Sequence, residues 1–195
     1  MPIAINRGLI GYRVLLIRSK DQSKFSAIRS LADLQRFFFG LQAPLDDVPI
    51  FEHNGLQVVK GSSYDGMFRM LAAGRFDALS RDIDEIGFEF ERKGRELPEL
   101  AVENTLLLRY PSTRYFVVSR TLAGLKLAAR IETGLRQMQE DGSFDEMFRK
   151  YKSAPLERFD ISHRHVITLE NPQFPVTKEA LRTLSATHVG YRFLR

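Results

Sequence analysis

Apolar and polar positions along this chain alternate between short strand-like runs and helical stripes. Residues 9–17 are dense in Leu, Ile, Val and Tyr and read as a strand, with Gly8 and Gly11 as flexible points. Residues 20–24 are polar and read as a loop. Ser30-Leu31-Ala32-Asp33 has the form of a capping box with Asp in place of Glu or Gln, and predicts a helix to about Arg36. Residues 37–41 form a second apolar strand candidate. Pro44 and the acids Asp46 and Asp47 open a short helix that Asn54-Gly55 ends, since acids in a first turn suit the positive end of the helix dipole. Residues 56–60 make a third strand.

The most informative stretch follows. Ser62 is placed to cap a helix whose apolar stripe is Met67, Met70 and Leu71, and Gly74 sits where a left-handed stop belongs. Residues 76–79 are a short apolar strand, and Arg81 and Asp82 stand where it ends. In an open α/β sheet ligands bind beyond the carboxyl ends of the strands, so this pair is a candidate site. Residues 82–93 predict a helix with Ile83, Ile86 and Phe90 inward, stopped by Gly94. Residues 105–108 and 114–119 are strand-like, with a turn around Pro111. Residues 122–141 are the longest predicted helix, striped by Leu127, Ile131, Leu135 and Met138. After Gly142, Ser143-Phe144-Asp145-Glu146 has capping-box form. Residues 152–195 read as an irregular tail with one strand candidate at 166–169. Strand–helix alternation with short loops implies an α/β fold on a largely parallel sheet, with helices on both faces.

The chain has 195 residues, 44% of them hydrophobic, which suits one domain or two small lobes. Its net charge of +5 is spread among acids without a basic run, so nucleic acid is not an expected partner. It has no cysteine, which excludes disulfides and thiolate metal sites. No apolar run approaches the ~20 residues that span a bilayer, and the start, Met-Pro-Ile-Ala-Ile-Asn-Arg, lacks the core of a signal peptide. His163 and His165 share a strand face, but no neighbouring acid completes a ligand spacing, so no metal is expected. Phe37-Phe38-Phe39 reads as a buried strand rather than a base-stacking platform. No phosphate-binding loop, nucleophile elbow or zinc helix occurs, and no local motif pairs a nucleophile with a base; neither an enzyme nor a cofactor is expected.

Several phrases in order resemble the type 2 periplasmic solute-binding proteins, specifically the amino-acid-binding group called bacterial extracellular solute-binding protein family 3. Gly8-Leu9-Ile10-Gly11-Tyr12 and the apolar run after it resemble the crossing strand into the second lobe. Ser30-Leu31-Ala32-Asp33-Leu34 resembles the "SLxDL" helix, Gly74-Arg75-Phe76-Asp77-Ala78 the "GRxDA" strand, and Glu140 through Tyr151 the closing helix pair. The resemblance covers roughly residues 2–151 and implies two α/β lobes joined by crossing hinge strands, with a ligand trapped between them. It implies residues 1–11 as a crossing segment and remnant of lobe 1, 12–112 as lobe 2, 113–151 as the return strand and helix pair of lobe 1, and 152–195 as a tail.

By that resemblance Asp82, five residues after Asp77, holds the ammonium of an amino-acid-like ligand, and Tyr12 and Gln42 lie in the cleft. Asp82 read alone is equally a helix N-cap. Arg81 is a ligand clamp or, as the residues favour, a salt-bridge partner of Asp77 or Glu85. Ser62 is a cap before it is a ligand donor.

The chain departs from the family in two ways. By the resemblance, the first lobe opens with about a hundred further residues, an α/β lobe's usual size, that hold the export signal, an aromatic platform and the arginine for the ligand carboxylate, so this chain is expected to carry only the second lobe and the C-terminal share of the first. Its Gly40-Leu41-Gln42-Ala43-Pro44 loop lacks the anion-binding Gly/Ser/Thr run, and Asp46 and Asp47 are expected to repel a ligand carboxylate. The family implies a periplasmic location and a membrane permease or sensor as partner; with Met1 as the true start the chain is expected in the cytoplasm. Two alternatives accompany this reading. One is a truncated, non-binding fragment or interaction domain that self-associates through exposed lobe-1 faces. The other is a dehydratase-like enzyme on the same fold, with Asp82 or Glu85 as general acid.

Overall fold

The computed structural model describes residues 3–43 and 47–174. In chain order the elements are β1 (Tyr12–Arg18), α1 (Gln22–Ser26), α2 (Leu31–Leu34), β2 (Phe38–Gln42), α3 (Asp47–His53), β3 (Gln57–Gly61), α4 (Tyr64–Ala72) and β4 (Ala78–Asp82). Then come α5 (Ile86–Glu96), β5 (Leu100–Val102), β6 (Leu106–Arg109), α6 (Leu122–Glu140), α7 (Ser143–Arg158) and β7 (His165–Thr168). The α/β class expected from the alternation is the class observed.

Among the described residues the strands form one seven-stranded sheet in the order β3-β2-β4-β1-β6-β7, with β5 also on β1. It is mixed rather than largely parallel. β2 runs parallel to β3 and β4, and β6 parallel to β7, but β1 is antiparallel to β4, β5 and β6. Because β1 opposes both neighbours, β4 and β6 point the same way. The carboxyl ends of β2, β3, β4, β6 and β7 therefore share one edge of the sheet with the amino end of β1.

The β1 sequence, Tyr-Arg-Val-Leu-Leu-Ile-Arg, is apolar on both faces because both are covered. Leu15 and Ile17 pack with Phe25, Leu34, Phe39 and Phe51 under α1–α3. Val14 and Leu16 pack with Met67, Phe68, Leu71 and Ile86 under α4 and α5. A third, small core of Ile3, Leu135 and Phe144 joins α6 to α7.

Local signals explain several boundaries. Ser30 and Asp33 make the expected capping box on α2. Gly74 has φ +73 and closes α4, with the Arg75 N–H donating to the Met70 carbonyl over 2.9 Å. Five expectations are corrected. The α4 cap is Ser63, whose hydroxyl accepts from the Gly66 N–H over 3.2 Å, rather than Ser62. The strand expected at 76–79 is Ala78–Asp82, so Arg81 and Asp82 end the strand instead of following it. The helix expected at 82–93 starts at Ile86 and runs past Gly94 to Glu96, because Gly94 keeps a helical backbone and packs beside the Phe90 ring. Residues 114–119 join no ladder among the described residues. In the segment read as an irregular tail, residues 152–158 continue α7, and β7 pairs with β6.

Candidate functional site

The shared edge gathers the residues singled out from the sequence. β1 begins there with Tyr12 and Arg13, β2 ends with Gln42, Ser62 follows the end of β3, and β4 ends with Arg81 and Asp82. Strand periodicity then divides them. Asp82 is opposite Arg13 across the β1–β4 pair and faces α3, whereas Arg81 is opposite Val14 and faces α4 and α5. The pair read as one charged unit is thus split between two sides of the sheet.

On the α3 side, Arg13 is clamped. Its Nη2 donates to both oxygens of Asp47 over 2.7 Å, and its Nε donates to the Tyr110 hydroxyl over 2.5 Å. The Tyr110 hydroxyl in turn donates to Asp47 Oδ1 over 2.6 Å. Asp47 is the first residue of α3, where an anion also meets the positive end of the helix. Burial pushes the Tyr110 phenol well above its ordinary pKa, and Asp47 adds to that rise against the pull of Arg13. Asp47 was expected to repel a ligand carboxylate; its charge is instead answered inside the protein. Asp46 lies outside the described residues.

Asp82 is 2% exposed. Its Oδ1 accepts from the Asp84 N–H over 2.9 Å, and the Glu85 N–H donates to its carbonyl, so it closes a turn rather than capping α5. Its Oδ2 stands 3.9 Å from Arg13 Nη1 and 3.9 Å from Arg114 Nη2, beyond hydrogen-bond range of both. Burial raises the Asp82 pKa to about 6, helped by the Asp84 and Glu85 carboxylates and opposed by the Asp84 N–H and by Arg13. Arg114 has a 54% exposed side chain and reaches from the segment after Pro111 to both Asp82 and Glu85. Beneath Asp82 on the same strand face, the buried Ser80 hydroxyl has no partner among the described residues.

On the other side, Arg81 donates from Nε to Glu89 Oε2 over 2.6 Å, from Nη2 to Glu89 Oε1, and to Glu85 over 3.1 Å. Glu85 was one of the two expected partners. Asp77, the other, receives Arg18 and the Phe38 N–H. The Tyr64 ring lies between Arg81 and Arg92, 5.7 Å from each guanidinium carbon. Tyr12 is buried and bonded to Arg109, Gln42 is half-buried, and Ser62 is exposed. His163 pairs with Asp160, and His165 meets the Arg29 carbonyl.

Sequence reasoning missed Arg13, Asp47 as its partner, Tyr110 and Arg114. The available signal was Arg13 itself, a charged residue near the start of an otherwise apolar buried strand.

No protein-family model matches the chain, and no curated protein matches its sequence. The chain resembles several solved structures over part of its length. An ancestral arginine-binding protein bound to arginine is 19% identical, with 72% of this chain and 60% of that one covered at a TM-score of 0.48. An amino acid ABC transporter substrate-binding protein from Streptococcus pneumoniae, bound to L-arginine, is 15% identical, with 73% and 57% covered at 0.48. YCKB from Bacillus subtilis is 16% identical, with 82% and 61% covered at 0.47. The chain thus spans about 60% of the length of these structures.

Proposed function

We propose that this chain is a solute-binding module that captures a small, amino-acid-like molecule at the shared strand edge, with the ligand's ammonium on Asp82. The observation that carries this reading is the Asp82 carboxylate, buried at the end of β4 with Oδ2 3.9 Å from each of two arginines. A carboxylate accepts several hydrogen bonds, and a buried one left short of partners favours an incoming cationic donor. An ammonium supplies three N–H donors and takes the place that the Arg114 side chain now holds at longer range. Residues 12–112 and β7 carry this half of the site, and residues 113–151 supply the opposing surface. Closure of the two holds the ligand without covalent chemistry, for hand-over to a membrane permease or a sensor in the periplasm.

A thermal-shift screen against the common amino acids tests the reading. A ligand at a hundred times its Kd adds ~2.7 kcal/mol to stability. Asp82→Asn is expected to abolish that shift, and silence from every amino acid would sink the proposal. One observation favours a second reading as a dehydratase-like enzyme: with a pKa raised to about 6, Asp82 keeps part of its proton near neutrality, as a general acid needs. That reading predicts turnover of a hydroxylated substrate to an unsaturated product, lost in Asp82→Asn.

A further inference from the structure

At the edge where Asp82 is buried, Arg114 is fixed by its backbone rather than by its side chain. Its N–H donates to Asn6 Oδ1 over 3.1 Å, and its carbonyl accepts from the Ile5 N–H over 3.0 Å. Its guanidinium stands 3.9 Å from Asp82 Oδ2 and 3.8 Å from Glu85 Oε1, too far for a hydrogen bond to either. Among the described residues the guanidinium has no closer partner.

The charges beside it are answered elsewhere. Glu85 takes Arg81 on its other oxygen over 3.1 Å, and Asp84 takes Lys152 over 2.8 Å. Arg13, the other guanidinium near Asp82, gives its short hydrogen bonds to Asp47 and Tyr110. Arg114 and Asp82 therefore face each other as a cation and an anion, the first with N–H donors to give and the second with Oδ2 still able to accept.

We propose that Arg114 decides which cations Asp82 accepts: it admits an ammonium that carries its own carboxylate and turns away one that does not. This rests on the solute-binding reading and narrows its ligand to a zwitterion. A plain amine has to displace the guanidinium from Asp82 and then stands against it, cation to cation. An α-amino acid bears both charges on one carbon. Its ammonium takes Asp82 Oδ2, and its carboxylate receives the displaced guanidinium, whose planar fork matches two oxygens. One side chain thus supplies both the attraction to the right ligand and the repulsion of the wrong one. The bonds to Asn6 and Ile5 keep the guanidinium within reach of the edge while its side chain, 54% exposed, is free to turn.

The full chain is screened by thermal shift with each common L-amino acid beside its carboxamide, which keeps the ammonium and loses the anionic charge. Among the amino acids that bind, the acid is expected to bind at least about tenfold tighter than its amide. Arg114→Gln leaves both backbone hydrogen bonds in place. It is expected to weaken the acid about tenfold or more and to tighten the amide, so the preference disappears or reverses, whereas loss of a merely structural residue would move both the same way. Arg114→Lys, which keeps the charge without the fork, is expected to retain part of the preference. Equal binding of acid and amide by the wild type, tighter binding of the amide, or an unchanged preference in Arg114→Gln overturns the role of Arg114 and leaves the Asp82 reading in place. Silence of the wild type toward acids and amides alike overturns both.

Discussion

Arg13 and Asp82 are direct partners across β1 and β4, yet Arg13 gives its short hydrogen bonds to Asp47 and Tyr110 and stays 3.9 Å from Asp82. The division matters to both carboxylates. Asp47 is fully answered and serves to tie α3 to the sheet. Asp82 keeps an attraction to Arg13 without being saturated by it, which leaves an anion at the strand edge able to take another cation.

Removing Arg13 is expected to be costly for the sake of Asp47 rather than Asp82. Both side chains of the Arg13–Asp47 pair are 11% exposed, so Arg13→Met leaves Asp47 buried without its counter-charge. Loss of one partner of a buried pair costs about 3–5 kcal/mol, while replacing both by apolar groups is often close to neutral. Urea denaturation is therefore expected to show Arg13→Met/Asp47→Leu as more stable than Arg13→Met. A double variant at least as unstable as the sum of the singles would show that the pair does not act as a unit.

The Asp82 carboxyl gives the chain a defined pH dependence. Its folded pKa of about 6 lies above the ~3.9 of an unfolded aspartate, so between those values the folded chain holds a proton that the unfolded chain has released. Its contribution to stability is fully present below pH ~4 and is lost as pH rises through about 6, a change on the order of 3 kcal/mol. The difference in unfolding free energy between wild type and Asp82→Asn is expected to fall across that window and flatten above it. Affinity for an ammonium-bearing ligand runs the other way, rising as Asp82 ionises. A flat difference curve would place Asp82 outside the burial seen here.

Capping of α4 offers a one-residue test. Ser63→Ala removes the acceptor for the Gly66 N–H and is expected to cost ~1 kcal/mol, whereas Ser62→Ala, at an exposed position before the cap, is expected to stay within about 0.5 kcal/mol of wild type. Thermal denaturation of the two variants separates them, and equal costs would refute the assignment.

That one-residue slip shows how far the sequence could be read. Gly74 and the Ser30–Asp33 box were legible because their geometry is local: a positive φ that glycine adopts freely, and a side chain reaching three residues along. Asp82 was legible as an edge residue because an apolar run ends near it. The direction of β1 was not, since a strand buried on both faces has no alternation to reveal how its neighbours run. Nor was the fate of Arg13, whose partners Asp47 and Tyr110 are 34 and 97 residues away in sequence. The apolar content of residues 114–119 promised a strand, but a ladder needs a partner, and none lies beside them among the described residues.

Arg81 and Asp82 are adjacent in sequence and opposite in role, and substituting each in turn tests that contrast. Arg81 faces α5, where Glu89 is 7% exposed and takes two of its N–H donors. Arg81→Met strands that carboxylate and is expected to lower stability by about 3 kcal/mol, with Arg81→Met/Glu89→Met recovering part of the loss. Because the Arg81 guanidinium lies on the far side of the sheet from Asp82, any ligand-induced rise in melting temperature is expected to survive in Arg81→Met. Asp82→Asn is expected to do the reverse, keeping or raising the baseline at pH 7, where it removes a poorly solvated charge, and erasing the ligand-induced rise. An Arg81→Met protein that melts like wild type but no longer responds to ligand would place the guanidinium in the binding site and overturn its assignment to the α5 network.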